Sequence, residues 1–152
     1  NSSISINIPT KGLKQIITIA NIHNNIKNCF EEIADIDEHC ARLISNYSKK
    51  FPFVLEGEVP QNTNGFESII NMCAKVLGIN SSKEFEDMAL NTSMTSGIQI
   101  DMKLVNIDGV NYLDYRRIVQ SIMAYKMADV DNITLVYSFY ESISEFICNY
   151  VC

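Results

Sequence analysis

The chain has 152 residues, of which 47% are hydrophobic, and a formal net charge of −6 at pH 7. This is enough apolar material for one sizeable core, so a single domain is expected. The acidic residues are scattered and no basic stripe is present, which argues against a nucleic-acid partner. No apolar run has the length of a membrane span, and the first residues lack a basic region followed by an apolar signal core, so no transmembrane segment is expected.

The cysteines indicate the redox state. Their number is odd, most lie on apolar helical faces, and none forms a close CxxC pair; they are Cys29, Cys40, Cys73, Cys148 and Cys152. Secreted disulfide scaffolds show even numbers at regular spacings. Reduced thiols in a cytoplasmic protein are therefore expected.

The first 24 residues carry two patterns. Residues 1–10 are polar, alternate Ile4, Ile6 and Ile8, and end at Pro9, so they form either a flexible N-terminal tail or an added strand. Residues 13–20 then carry an apolar stripe with helical spacing. We therefore predict a helix near residues 13–20, which either precedes a second helix or bends into it.

An acidic cluster occupies residues 31–38. The apolar period of a helix continues across it to Tyr47, so we favour one long amphipathic helix over residues 24–48 with a solvated acidic face. A metal-binding loop within the cluster is the alternative. Pro52 and Pro60 then end the helical pattern and predict an inserted loop at about residues 49–64.

Two helices are predicted in the middle of the chain. Residues 65–77 carry an apolar stripe with helical spacing, and Gly78 is a helix stop. Ser81 and Glu84 have the spacing of a capping box, which predicts the start of a helix over residues 82–90.

A strand pair is predicted after these helices, around Ile100 and Val110. Apolar residues alternate from Ile98 to Leu104, and Asp108-Gly109 is a turn signal before a second short strand. The two strands pair as a hairpin, or the second pairs with another part of the chain. Amphipathic patterns then predict helices over residues 114–126 and 132–149, the last one capped by Asp131 or Asn132.

The stretch from Asn106 to Met127 combines a polar turn, a short strand, the acidic Asp114 and an amphipathic helix. It resembles the second half of an EF-hand, the calcium-binding unit of calmodulin. The order Thr-Lys-Gly-Leu-Lys-Gln-Ile-Ile-Thr-Ile-Ala, followed by Ile-x-x-x-Phe, resembles the junction segment and first hand of calcium-dependent protein kinases. The Leu77-Gly78 break resembles the end of the exit helix in the first hand.

This resemblance implies a mainly α fold, with EF-hand-like helix pairs and a short β-strand pair in one helical domain over residues 11–152. It also implies a calmodulin-like regulatory domain, which binds an amphipathic helix of its parent kinase or of another protein partner. Such a chain acts by binding and is not itself an enzyme. The two histidines are far apart, and no phosphate loop or nucleophile elbow occurs, so the residues themselves nominate no enzyme class.

The resemblance implies a calcium site, but the ligand positions depart from the family pattern. When the loop is aligned on Val110 and Asp114, its early ligand positions fall on residues without carboxylates, namely Lys103, Val105 and Ile107. Calcium binding is therefore expected to be weak or absent. The remaining candidate ligands are Asn106, Asp108, Asn111 and Asp114.

A second interpretation is an unrelated helical bundle. Such a bundle resembles the fold of viral apoptosis regulators, which bind an amphipathic partner helix in a groove. Both interpretations give a role to apolar residues that lie off the main stripes of the last two helices, where they form a partner-binding surface or complete a two-sided core. These residues are Met123, Met127, Leu135 and Phe139.

Overall fold

The structure is a computed structural model that describes residues 2–8, 12–19, 25–60 and 65–151, with side chains for residues 25–60 and 65–149. The predicted mainly helical fold with a small antiparallel strand pair is confirmed. The helices among these residues are α1 (Ile26–Ala34), α2 (Glu38–Lys50), α3 (Gly65–Leu77), α4 (Ser82–Leu90), α5 (Tyr115–Met127) and α6 (Asn132–Val151), with a short 3-10 helix at Pro52–Leu55. The strands are β1 (Ser2–Ile8), β2 (Gly12–Ile19), β3 (Leu104–Ile107) and β4 (Val110–Leu113).

Local signals set the boundaries of α3 and α4, and both predicted ranges are confirmed. Gly78 has a φ of 72°, the left-handed conformation that ends many helices. The Ile79 N–H donates to the Ala74 carbonyl at 2.9 Å, which closes the end of α3. Ser81 accepts the Glu84 N–H at 3.1 Å and caps α4.

The single helix predicted over residues 24–48 is wrong, because the chain breaks between α1 and α2. Asp37 is extended, with a φ of −164°, and its carboxylate accepts the Cys40 N–H at 2.8 Å. It is therefore the N-cap of a new helix. Cys40 and Tyr47 of α2 are buried in the same core as Ile33 of α1. The apolar spacing therefore continues unchanged from α1 to α2 and gives no sign of the break between them.

Carboxylate caps also make stability depend on pH. The Thr134 hydroxyl and the Thr134 N–H, the latter at 2.7 Å, both donate to Asp131 and lower the pKa of that carboxyl. The Cys40 N–H lowers the pKa of Asp37 in the same way. A carboxyl whose pKa is lower in the folded state stabilises the fold above its unfolded pKa of about 4. This contribution is lost as the pH falls through the folded pKa.

We therefore expect the variant D37N/D131N to lose less free energy of unfolding on acidification than the parent chain. Asparagine caps a helix about as well as aspartate but does not titrate. Urea unfolding at several values from about pH 5 to about pH 2 measures the difference. Parallel pH curves for the two proteins would show that the caps do not contribute.

The helix predicted at residues 13–20 is wrong, since the chain forms strand β2 there. Ile16, Ile17, Thr18 and Ile19 are β-branched, which favours a strand over a helix where a partner strand is at hand. That partner is β1, which pairs with β2 antiparallel. Of the two alternatives predicted for the start of the chain, the structure shows an added strand over Ser2–Ile8.

The four described strands form one sheet in the order β1-β2-β4-β3. β3 and β4 make the predicted hairpin through Asp108 and Gly109, whose φ values are 52° and 84°. Two central residues with positive φ are typical of the tight turn that matches strand twist. On its other side β4 lies parallel to β2, where Thr18 pairs with Tyr112.

Residues 97–101 do not form the strand that their alternation predicts. Four of their backbone N–H groups donate instead to side chains of α5 and α6, and we call this set of hydrogen bonds the serine clamp. Its pairs are Gly97 with Glu141 (2.9 Å), Ile98 with Ser138 (3.0 Å), Ile100 with Ser142 (2.9 Å) and Asp101 with Ser121 (3.3 Å). The alternation is therefore that of an extended segment fixed to two helices.

The core lies where α1 packs against α2, where α3 packs against α5 and where α4 packs against α6. Its largest fully buried side chains are Tyr47, Phe85, Phe139, Ile33, Ile69, Met72, Ile100, Ile118, Ile122, Met123 and Leu135. Among the described residues, no helix is both long enough and apolar enough to cross a membrane.

Candidate functional site

The residues predicted to form a partner surface lie mostly in the core. Met123, Leu135 and Phe139 are fully buried, and Met127 is half-buried and packs against the same core. Of the two roles predicted for these residues, completing a two-sided core is the one observed. They do not form an exposed groove in this fold.

The four candidate calcium ligands support the hairpin and the start of α5. The Asn106 side-chain amide donates to Asn111 at 2.9 Å, and its oxygen accepts the Gly109 N–H at 3.1 Å. Asp108 occupies the turn. Asp114 caps α5 and accepts two hydrogen bonds from Arg116, at 2.9 and 3.0 Å. Weak or absent calcium binding stays a prediction.

Among the described residues, no group of three or more His, Cys, Asp or Glu side chains could hold a metal ion. Cys29, Cys40 and Cys73 are buried free thiols, and Cys148 is exposed. Burial raises the pKa of Cys29 and of Cys73. A raised pKa disfavours the thiolate, so neither cysteine has the properties of a nucleophile.

An open cleft of about 610 Å³ lies beside the hairpin, bordered by the end of α1 and the start of α5. We call it the hairpin cleft. Its lining residues are Glu32, Asp35, Val105, Ile107, Tyr112, Leu113, Asp114, Tyr115 and Arg116. The volume is within the range of small-molecule and peptide sites.

One face of the hairpin forms the apolar part of this cleft. Residues paired across antiparallel strands lie on the same face, and so do residues two apart in one strand. The pairs Val105 with Tyr112 and Ile107 with Val110 therefore share one face. Ile107 is 53% exposed and Val110 is 38% exposed. Two of the four side chains on this face are therefore exposed, and Val105 and Tyr112 are partly exposed.

Charged side chains border the apolar face. Glu32 accepts a hydrogen bond from the Tyr115 hydroxyl, and the Asp114 carboxylate raises the pKa of Arg116 by pairing with it. Asp35 is exposed and has no ion-pair partner among the described residues. The lining contains three carboxylates and one guanidinium, so its net charge is negative.

The sequence interpretation assigned other roles to the residues of this cleft. Val105 and Ile107 stand at expected metal-ligand positions in the EF-hand alignment, whereas the structure places them on the apolar face. Glu32 and Asp35 were assigned to the solvated side of a continuous helix. Apolar alternation in residues 104–113 could have indicated a face, but it does not show whether that face is covered.

A second, much smaller cavity of about 40 Å³ lies beside α3. Asn71 lines it and is 4% exposed, and its side-chain nitrogen has no hydrogen-bond partner among the described residues. A cavity of this size holds a water molecule or two. It is too small for a peptide side chain of any length, so the hairpin cleft is the stronger candidate of the two.

Comparison of the chain with protein-family models, with curated proteins and with solved structures gave no match. The EF-hand resemblance therefore depends on the quoted residues alone.

Proposed function

We propose that the chain is a protein-interaction domain, which binds an apolar segment with basic side chains in the hairpin cleft. The observation that carries this proposal is the apolar face of Val105, Ile107 and Tyr112, in which Ile107 is exposed and the other two are partly exposed, beside the carboxylates of Glu32 and Asp35. Exposed apolar patches with a polar rim commonly mark partner sites. Negative charge at the rim favours a cationic partner and disfavours an acidic one.

The calmodulin-like form of this proposal assigns the segment to the parent kinase and adds calcium control. The hairpin that leads through the Asp114 cap into α5 supports the resemblance. The oxygens of Asn106 and Asp114 are already used within the fold, which favours binding that does not depend on calcium. The helical-bundle form of the proposal would place the partner in a groove on α5 and α6. These helices instead bury the side chains that were expected to line that groove.

The proposal predicts that two substitutions in the cleft weaken the binding of a designed peptide. The probe is a short fluorescent peptide of lysine and leucine. I107D places a charge on the apolar face, and D35K reverses a rim charge. We expect each to weaken binding about tenfold, equivalent to about 1.4 kcal/mol. Because both side chains are exposed, the melting temperature should change little. Fluorescence anisotropy at low salt measures affinity, and thermal unfolding checks the fold.

Matched controls separate the cleft from general charge effects. L90D makes the same change at a side chain that is 74% exposed, and E145K reverses an exposed charge on α6; neither residue lines the cleft. Both should bind the peptide like the parent chain. Equal weakening by the controls, or no binding by the parent, would rule out the cleft. Repeating the titration with calcium and with a chelator tests the calmodulin-like form, and we expect no difference.

A further inference from the structure

We infer that the bound segment lies extended and adds a strand to the outer edge of β3. This inference rests on the proposed function and specifies the shape of the partner. In the sheet order β1-β2-β4-β3, strand β3 is terminal, and β4 is its only neighbour among the described strands. An unpaired strand edge presents N–H and C=O groups to any extended segment that approaches.

The hairpin register shows which backbone groups face outward. Ile107 and Val110 flank the two-residue turn and so form a hydrogen-bonded pair, and alternation makes Val105 and Tyr112 the next such pair. The Asp114 N–H donates to the Lys103 carbonyl at 2.8 Å, which continues the same alternation. The N–H and C=O groups of Leu104 and Asn106 therefore point away from β4. No described group bonds them.

This edge also lacks most of the features by which proteins block unwanted pairing. Residues 104–107 are Leu-Val-Asn-Ile, with no proline and no charge. Natural edge strands are commonly protected by lysine, proline or a bulge. The strand is short, so it suits a short segment of a few residues.

The position of the edge connects strand addition to the hairpin cleft. Side chains of an added strand alternate between the two faces of the sheet. Those on the Val105 and Ile107 side lie over the cleft, within the part of the surface bordered by Glu32 and Asp35. In such complexes, main-chain hydrogen bonds supply affinity and the pockets for alternate side chains supply specificity. The expected partner is therefore an extended segment with apolar side chains at every second position and lysine or arginine nearby.

Two peptides of identical composition test the conformation. One alternates lysine with leucine, and the other places the same residues at helical spacing. We expect the alternating peptide to bind about tenfold more tightly. On its binding, the amides of Leu104 and Asn106 should become protected from hydrogen exchange. The Val105 amide already faces β4 and should change less.

Two variants at one position test the edge itself. Proline at position 106 removes an outward N–H without removing a bond to β4. N106A removes the same side chain and its turn contacts but keeps the N–H. We expect N106P to bind the alternating peptide about tenfold more weakly than N106A. If N106P disturbs the hairpin, the exchange measurement on the parent chain decides.

The outcomes distinguish this inference from the proposed function. Tighter binding of the helical peptide, with exchange at Leu104 and Asn106 unchanged and D35K still weakening the complex, would overturn strand addition and leave the cleft intact. No binding of either peptide would overturn both. Sedimentation should show a monomer; a dimer that N106P dissociates would assign the edge to a second copy of the chain and overturn the inference.

Discussion

Replacement of Phe139 by alanine is expected to lower the free energy of unfolding by about 3 to 5 kcal/mol, the usual cost of removing a fully buried aromatic side chain. Its ring has no exposed surface and lies 5.6 Å from the Phe85 ring and 5.2 Å from the Tyr140 ring, centroid to centroid. Alanine would leave a cavity at the contact between α4 and α6. Urea unfolding measures the change.

The matched control is L90A. Leu90 is 74% exposed, so its truncation should change the free energy of unfolding by less than about 0.5 kcal/mol. A loss below about 1 kcal/mol for F139A would mean that Phe139 is not a core residue. That result would again support the prediction of an exposed partner-binding groove on α5 and α6.

A methyl group at Gly97 is expected to destabilise the fold by about 2 to 5 kcal/mol, which combines overpacking with disturbed hydrogen bonds. A Cβ placed there would overlap the Ser138 hydroxyl and lie 3.1 Å from the Ser138 Cα. The backbone of residue 97 must then move away from α6, which disturbs the Ile98 bond to Ser138. Chemical unfolding of G97A measures the loss.

A double-mutant cycle identifies the cause. S138A removes the atom that a Cβ at residue 97 would meet first, so G97A should cost less in that background than in the parent chain. The exposed neighbour provides a control, since S96A should be nearly neutral. Additive effects of G97A and S138A would show that this contact is not what constrains the segment.

Much of the helical framework could be predicted because its signals are local. Gly78 ends α3, Ser81 caps α4, and Asp114 caps α5, and each acts within a few residues of the helix terminus that it sets. The spacing of apolar residues was less informative where it fits two different structures. The break at Asp37 does not disturb the apolar period, and the stripe at residues 13–20 fits either a helix or a strand until a partner strand is known.

The candidate site was harder to predict, because it depends on which faces remain uncovered. Met123 and Ile107 are both apolar side chains on amphipathic elements, yet the first is fully buried and the second is 53% exposed. The difference arises from packing between elements that are far apart in the sequence. The spacing of apolar residues carries no information about that packing. The acidic residues at the end of α1 lie beside the hairpin because α1 packs against α5, a contact that the spacing of apolar residues does not show.

The serine clamp joins parts of the chain that are far apart in the sequence. Ile98 and Ile100 depend on hydroxyls that lie 40 and 42 residues later in the sequence. Closing contacts of such long separation costs chain entropy, which slows their formation. During synthesis the segment before the hairpin therefore stays unsatisfied until α6 has left the ribosome. We therefore expect residues 97–101 to become ordered only after α6 has formed.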